Sequence, residues 1–268
     1  RIWSGIADAA AKSFVSGNRQ RFCCNKWGKG TMSKNGQDIG VVIPAFNEKR
    51  TIDKTIKALK QVACIDRILV VDDGSSDSTA ELASESGAEV LKLPQNSGKG
   101  HAMKMGYEAL PCSVLIFLDA DLGETAAEAI RLIDPICGGN AEATISRFPM
   151  TPGKGGFGFV KRLSSRGLFF LTGQTFSSVL SGQRGFLRKI LSEESFRYSG
   201  FGIEFGMTVD LLWKNRKIRE VDVTMEHRTT GRDFGGFLHR ARQFMDIAIV
   251  IVRKAVEKSS ALPKGNDI

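Results

Sequence analysis

Apolar and polar positions along this chain switch repeatedly between two periods. Short β-branched runs end at polar clusters, and each is followed by a segment with apolar residues three and four apart. The run at 39–43 stops at Pro44, which cannot continue a central strand, so residues 44–48 are expected to form a strand-exit loop. Thr51 then reads as an N-cap. Ile52, Ile56 and Leu59 follow at helical spacing, with Lys54, Lys57 and Lys60 between them. A second strand is predicted at 68–71, closed by Asp72, Asp73 and Gly74, with Asp77 or Ser78 capping the next helix. A third strand is predicted at 89–93, a loop at 94–100, a helix at 101–110 and a fourth strand at 114–118. That strand ends at Asp119–Ala120–Asp121. A helix at 125–133 and a strand at 143–147 complete the series.

Strand, loop and helix repeat with every polar cluster on the strand-exit side. The pattern predicts a doubly wound, mostly parallel α/β sheet with right-handed crossovers. After Arg147 the pattern changes. Residues 151–158 are expected to form a Gly-rich loop, 159–171 a helix bearing Lys161, Arg162 and Arg166, and 182–186 a loop and strand. A helix is expected at 205–213, a strand at 218–223, a basic loop at 226–232 and a long terminal helix at 237–257. There are no internal repeats beyond the β/α units.

The 268 residues suffice for one large domain, or a domain with an appendage. The division expected is an extension at 1–37, a main domain at 38–225, and a basic loop with an amphipathic helix at 226–268 that closes the site. A net charge of +9 favours an anionic partner. Five cysteines with no C-x-x-C pair suggest a reducing compartment rather than a disulfide framework or zinc site, and Cys64 and Cys112 beside apolar runs are expected to be small buried hydrophobes. No apolar run approaches the roughly 18–20 residues that span a bilayer. The expectation is a cytoplasmic protein, with the basic face at 159–171 offering peripheral contact with an anionic membrane.

Several chemistries are excluded by missing motifs. There is no G-x-x-x-x-G-K-[ST]; Gly98–Lys99–Gly100 lacks both the spacing and the hydroxyl. No G-x-G-x-x-G follows the first strand, and no G-x-S-x-G elbow exists. No nucleic-acid motif or aromatic-interleaved basic stripe explains the charge, so no nucleic-acid partner is expected. What remains is a set of acids at three strand exits: Glu48, then Asp72 and Asp73, then Asp119 and Asp121. Ligands of open α/β sheets bind at such edges. Asp119 and Asp121 share a strand face and suit a hard divalent cation that carries phosphate oxygens with it. The other use of Asp121 is as a helix cap, since Glu124 stands three residues on. With acids available for a base and a ribose, the set describes a nucleoside-diphosphate site.

Four segments in order carry a family resemblance: Val41 to Glu48, Val70 to Thr79, Asn96 to Gly100, and Asp119 to Asp121. Together they are similar to the successive motifs of family 2 glycosyltransferases with the GT-A fold, over roughly residues 39 to 232. Ser181 to Phe186 resembles the polyprenyl- or dolichyl-phosphate sugar synthases of that family and, more distantly, the glucosyl-3-phosphoglycerate synthases. The resemblance implies a GT-A fold, with a Rossmann-like nucleotide half and an acceptor half. It implies a metal-dependent transfer from a UDP- or GDP-sugar to a phosphorylated acceptor, polyprenyl phosphate first and a soluble phosphorylated acid second. A non-catalytic nucleotide-sugar binding module is the alternative of another class. A sugar-1-phosphate nucleotidyltransferase is disfavoured, because Pro44 to Glu48 contains no Gly-rich loop.

The same resemblance implies roles for individual residues. Pro44, Ala45, Asn47, Glu48 and Asp72 or Asp73 would bind the base and ribose, and Lys99 and Asp119 would lie near the nucleotide. Asp121 would ligate Mg²⁺ or Mn²⁺, with Asp119 acting through ribose or water and His227 as a further ligand. His227 serves equally as part of a basic anion-binding loop. Glu204 is the candidate general base, although the family's Glu–Asp pair is broken by Phe205. That departure favours an acceptor phosphate, which is already ionised. Arg184, Arg228 and Arg232 would clamp phosphate, with Arg184 and Asp121 also in the catalytic set. Inversion is the family default and phosphoglycerate-type relatives are retaining. A homodimer is also expected.

Overall fold

The computed structural model describes residues 36–148, 159–198, 200–225 and 234–261. The expected extension (but for residues 36 and 37), the 151–158 loop and the basic loop with His227, Arg228 and Arg232 lie outside them.

The first half alternates strand and helix: β1 (Ile39–Ala45), α1 (Ile52–Leu59), β2 (Arg67–Asp72), α2 (Thr79–Glu85), β3 (Glu89–Lys92), α3 (Lys99–Ala109) and β4 (Val114–Phe117). A 3₁₀ helix (Gly123–Glu128) then leads into α4 (Ala129–Cys137) and β5 (Ala143–Arg147). The second half holds α5 (Phe159–Thr172), β6 (Arg184–Leu187), α6 (Gly202–Trp213), β7 (Ile218–Asp222) and α7 (Phe234–Ala261). The strands form one seven-stranded sheet in the order β3-β2-β1-β4-β6-β5-β7. All pairings are parallel except those of β6, which runs antiparallel to both β4 and β5. The sheet is therefore mostly parallel, as the sequence implies.

Side chains on successive strand residues point to opposite faces, and two cores follow. Val42, Leu69, Val71, Leu115 and Phe117 pack on one face with residues of α3, α5, α6 and α7. Val41, Ile43, Ile68, Val70 and Ile116 pack on the other with residues of α1 and α4. Burial on both faces explains why these strands read as unbroken apolar runs rather than alternating ones.

Three local expectations are corrected. β1 does not stop at Pro44 but pairs with β2 as far as Ala45 and Asp72. The side of β1 that faces β4 carries the Val42 carbonyl, which accepts Leu118 N–H, and two residues on it carries Pro44. β4 has ended by then, at Phe117 opposite Val42, so the missing Pro N–H breaks no ladder bond. Lys99, read as loop, is the first residue of α3, after Gly98 as N-cap. Asp121 is not a helix cap: Leu122 holds that position on the 3₁₀ helix. Thr51 does occupy the N-cap position of α1, but its hydroxyl bonds Glu48 Oε2 at 3.1 Å rather than a helix N–H.

Candidate active site

The exits of β1, β2 and β4 meet the N-terminus of α3 in a cleft of about 460 Å³. Its acidic and basic lining comes from Glu48, Asp73, Lys99, Asp119 and Asp121. Pro44, Ala45 and Phe46 form the apolar wall, and Phe46 stands 43% exposed.

Backbone-directed bonds knit these loops together. Asn47 takes a left-handed φ of 57°, which asparagine tolerates better than most residues. Its N–H donates to Ser75 Oγ at 2.9 Å, and its Oδ1 accepts Ser76 N–H at 2.9 Å. Glu48 N–H donates to Thr79 Oγ1 at 2.9 Å. Asp73 is buried, and its two carboxylate oxygens accept Ser97 N–H at 2.9 Å and Gly98 N–H at 2.7 Å. Charge-assisted bonds of this kind are the stronger class, so Asp73 fixes the start of α3 against β2. Thr55, fully buried on α1, holds the Asp119–Asp121 turn: its hydroxyl donates to Ala120 O and accepts Gly123 N–H, both at 2.9 Å.

At the centre lies an ionic chain. Lys99 Nζ is 2.8 Å from Asp119 Oδ1 and 3.1 Å from Glu204 Oε1. Asp119 Oδ2 accepts Gln183 Nε2–H at 2.7 Å. Burial works against the Lys99 charge, but the carboxylates of Asp119 and Glu204 outweigh it and push its pKa above the usual lysine value. Lys99 is therefore a permanent cation at neutral pH. Gly182 passes so close that an added Cβ would strike Lys99 Nζ and lie 3.0 Å from Asp119 Oδ2. A side chain there would push Lys99 or the Asp119 carboxylate out of place.

Among the sequence-expected residues, the cleft brings together Pro44, Ala45, Glu48, Asp73, Lys99, Asp119 and Asp121. Asn47 and Asp72 are not in its lining. Asn47 ties the β1 and β2 exits, and Asp72 is buried with Oδ1 accepting Ser75 N–H at 3.1 Å. Glu204 is not in the lining either; it is 5% exposed and faces Lys99. Its carboxylate meets the Lys99 ammonium at 3.1 Å, outside the cleft lining where a general base would be expected.

Arg184 is a clear correction. Its side chain is fully buried, with Nε donating to Ser181 O at 2.7 Å, Nη1 to Thr208 Oγ1 at 2.8 Å and Nη2 to Val179 O. Burial pulls its pKa down to about 10, against the favourable charge of Glu204. It braces the loop before β6 and offers no phosphate contact. Phe46, Thr55, Gly182 and Gln183 were the residues missing from the sequence-based set. For Gly182 and Gln183 the signal was present, since both stand in the Ser181–Phe186 motif.

Of the four carboxylates at the cleft, those of Asp119 and Asp121 share one turn and are the pair that would suit a hard cation, with Asp119 also engaged by Lys99 and Gln183. Mg²⁺ is commonly held by one or two carboxylates together with substrate phosphates. Among the described residues no group of three or more His, Cys, Asp and Glu side chains is arranged to hold a metal by itself. The donor set thus fits a cation that arrives with a diphosphate.

A mostly parallel sheet with acids at three strand exits and an Asp-x-Asp turn after the fourth strand is the GT-A arrangement. The chain belongs to glycosyl transferase family 2, whose model matches residues 40–194. It is 32% identical over 201 residues to glycosyltransferase AglJ of Haloferax volcanii, covering 73% of this chain and 65% of that protein. It is 29% identical over 202 residues to glucosyl-3-phosphoglycerate synthase of Mycobacterium tuberculosis, covering 66% and 62%. The chain thus spans a little under two thirds of the length of these relatives. The crystal structure of the mycobacterial synthase with Mn²⁺, UDP-glucose and phosphoglyceric acid superposes with a TM-score of 0.66 at 26% identity, covering 84% of each chain. Another structure of that enzyme contains Mg²⁺ and UDP.

Proposed function

We propose that this protein transfers a sugar from a nucleoside-diphosphate donor to a phosphorylated acceptor, with Mg²⁺ or Mn²⁺ as cofactor. The observation that carries the reading is the Asp119–Lys99–Glu204 ionic chain, set at the N-terminus of α3 in a cleft that also presents Asp121. A helix N-terminus beside a fixed ammonium is a ready anion site. Lys99 meets the diphosphate and offsets charge that develops on it as the glycosidic bond breaks. Asp121, with Asp119 beside it, would hold the cation, which when bound neutralises the leaving diphosphate as a Lewis acid. Phe46 offers a face for the base and Glu48 acceptor oxygens for ribose hydroxyls. Asp73 keeps the loop before α3 in place.

With Glu204 set against Lys99 outside the cleft lining, no base is assigned at that position. An acceptor phosphate needs none, since its second proton leaves near pH 6. Arg228 and Arg232 are assigned to the acceptor phosphate and His227 to the cation or to that anion. Polyprenyl phosphate is the first acceptor proposed. A soluble phosphorylated acid is the second, favoured by the likeness to a synthase crystallised with phosphoglyceric acid. Incubation with UDP- and GDP-sugars, with and without Mn²⁺, tests the reading through release of nucleoside diphosphate. Polyprenyl phosphate in detergent, against 3-phosphoglycerate, separates the acceptors. Donor binding with no release under any combination would favour a non-catalytic module.

A further inference from the structure

Of the exposed large apolar side chains among the described residues, all except Phe46 belong to α5 or α7. None of those on the two helices lines the nucleotide cleft. On α7, Met245, Ile249, Val252 and Val256 recur at intervals of four, three and four residues, so they form a stripe along one side of the helix. Val252 is 64% exposed. On α5, Phe169 and Phe170 project similarly, with Phe170 66% exposed.

The two helices present one continuous surface. At Gly167 they approach so closely that an added Cβ would lie 2.8 Å from Ile251 Cγ1. Lys258 of α7 donates to Phe170 O at 3.1 Å and Leu171 O at 3.0 Å. Between the helices runs a groove of about 450 Å³, with Leu163, Phe170, Phe244 and Ile251 in its walls beside Arg162 and Arg166.

Exposed basic residues outnumber acids on this surface. Lys161, Arg162 and Arg166 are exposed on α5, and Arg253 and Lys258 on α7. The acids on α7 are already engaged: Asp246 accepts Phe201 N–H at 3.1 Å, and Glu257 pairs with Lys254 at 2.6 Å and Arg197 at 3.3 Å. Apolar side chains flanked by Arg and Lys are what an acidic lipid surface takes up: the apolar groups enter the acyl boundary and the cations meet headgroup phosphates. A second copy of this chain would instead bring like charges face to face.

We propose that the joint face of α5 and α7 docks on an acidic phospholipid bilayer. Phe170, Ile249, Val252 and Val256 enter the headgroup–acyl boundary, and Arg162, Arg166 and Arg253 face lipid phosphates. The helices lie along the surface, since no helix among the described residues is long and apolar enough to cross a membrane. This docking is independent of the donor and acceptor proposed for the cleft.

Co-sedimentation of the full chain with phosphatidylcholine vesicles, with and without phosphatidylglycerol, tests it. Binding to the acidic vesicles alone is expected. Arg162→Gln and Arg166→Gln should each weaken it about fivefold. The pair Val252→Ser and Val256→Ser should weaken it at least about tenfold. Amide exchange of the unsubstituted protein should slow along 163–170 and 245–256 when acidic vesicles are added, a readout that needs no variant. No binding, binding indifferent to lipid charge and to all four substitutions, or slowed exchange confined to other segments would overturn the proposal. So would a concentration-dependent dimer that Val252→Ser dissolves. Nucleoside diphosphate release without vesicles reports on the transferase reading separately, so either proposal can fail alone.

Discussion

Glu204 on α6 faces Lys99 on α3 across 3.1 Å, and the same ammonium reaches Asp119 at 2.8 Å. One cation thus couples a buried acid to the Asp-x-Asp turn, joining helices that begin more than a hundred residues apart. Glu204 is almost entirely enclosed, so loss of Lys99 leaves it without that compensation. Lys99→Met and Glu204→Gln should each destabilise the fold. In a double-mutant cycle they should couple by about 1–3 kcal/mol, read from urea midpoints. Simple additivity would show that the pair is not one unit.

Gly182→Ala tests the packing around that chain. The new methyl would displace either Lys99 or the Asp119 carboxylate. A shift of about 1 Å near reacting groups costs on the order of a hundredfold in rate. Turnover should fall by about that factor, with far-UV circular dichroism unchanged.

Arg184→Met should act on stability rather than on acceptor affinity. The substitution leaves the carbonyls of Val179 and Ser181 without their donor, at a cost of about 1–3 kcal/mol for the buried Val179 carbonyl and less for the part-buried Ser181 one. The urea midpoint should fall, while the acceptor KM of the remaining folded enzyme stays the same. A selective rise in that KM would return Arg184 to the phosphate site.

Cys112 supplies a pH dependence of defined sign. Burial, with help from the Asp38 charge, pushes its thiol from an ordinary 9.0 up to about 11. Between those values the unfolded chain has given up the proton and the folded chain retains it, so stability falls as pH rises through that window. Urea midpoints should drop between pH 9.0 and 11 in the native sequence, by more than in Cys112→Ala.

Much of this arrangement was legible in the sequence. The strand runs gave the parallel half of the sheet, because residues buried on both faces leave an unbroken apolar signature. The strand-exit acids marked the cleft edge. Arg184 was misleading because its neighbours Gly182, Gln183 and Gly185 look like an exposed loop. Its burial depends on Thr208, twenty-four positions later, and on carbonyls that only the folded loop presents. Thr55 carried no signal, since its partners Ala120 and Gly123 lie 65 and 68 positions further along the chain. The reversal of β6 was hidden for the same reason: strand direction depends on how the chain returns, not on the residues of the strand.

Asp121→Ala gives the most direct test of the central claim. Nucleoside diphosphate release should be followed with Mn²⁺, the donor and the phosphorylated acceptor that the native protein turns over. Lewis-acid assistance is worth several kcal/mol, so the variant should lose at least about a hundredfold in rate while remaining folded. Release near the native rate, or native turnover indifferent to chelation of the metal, would contradict it.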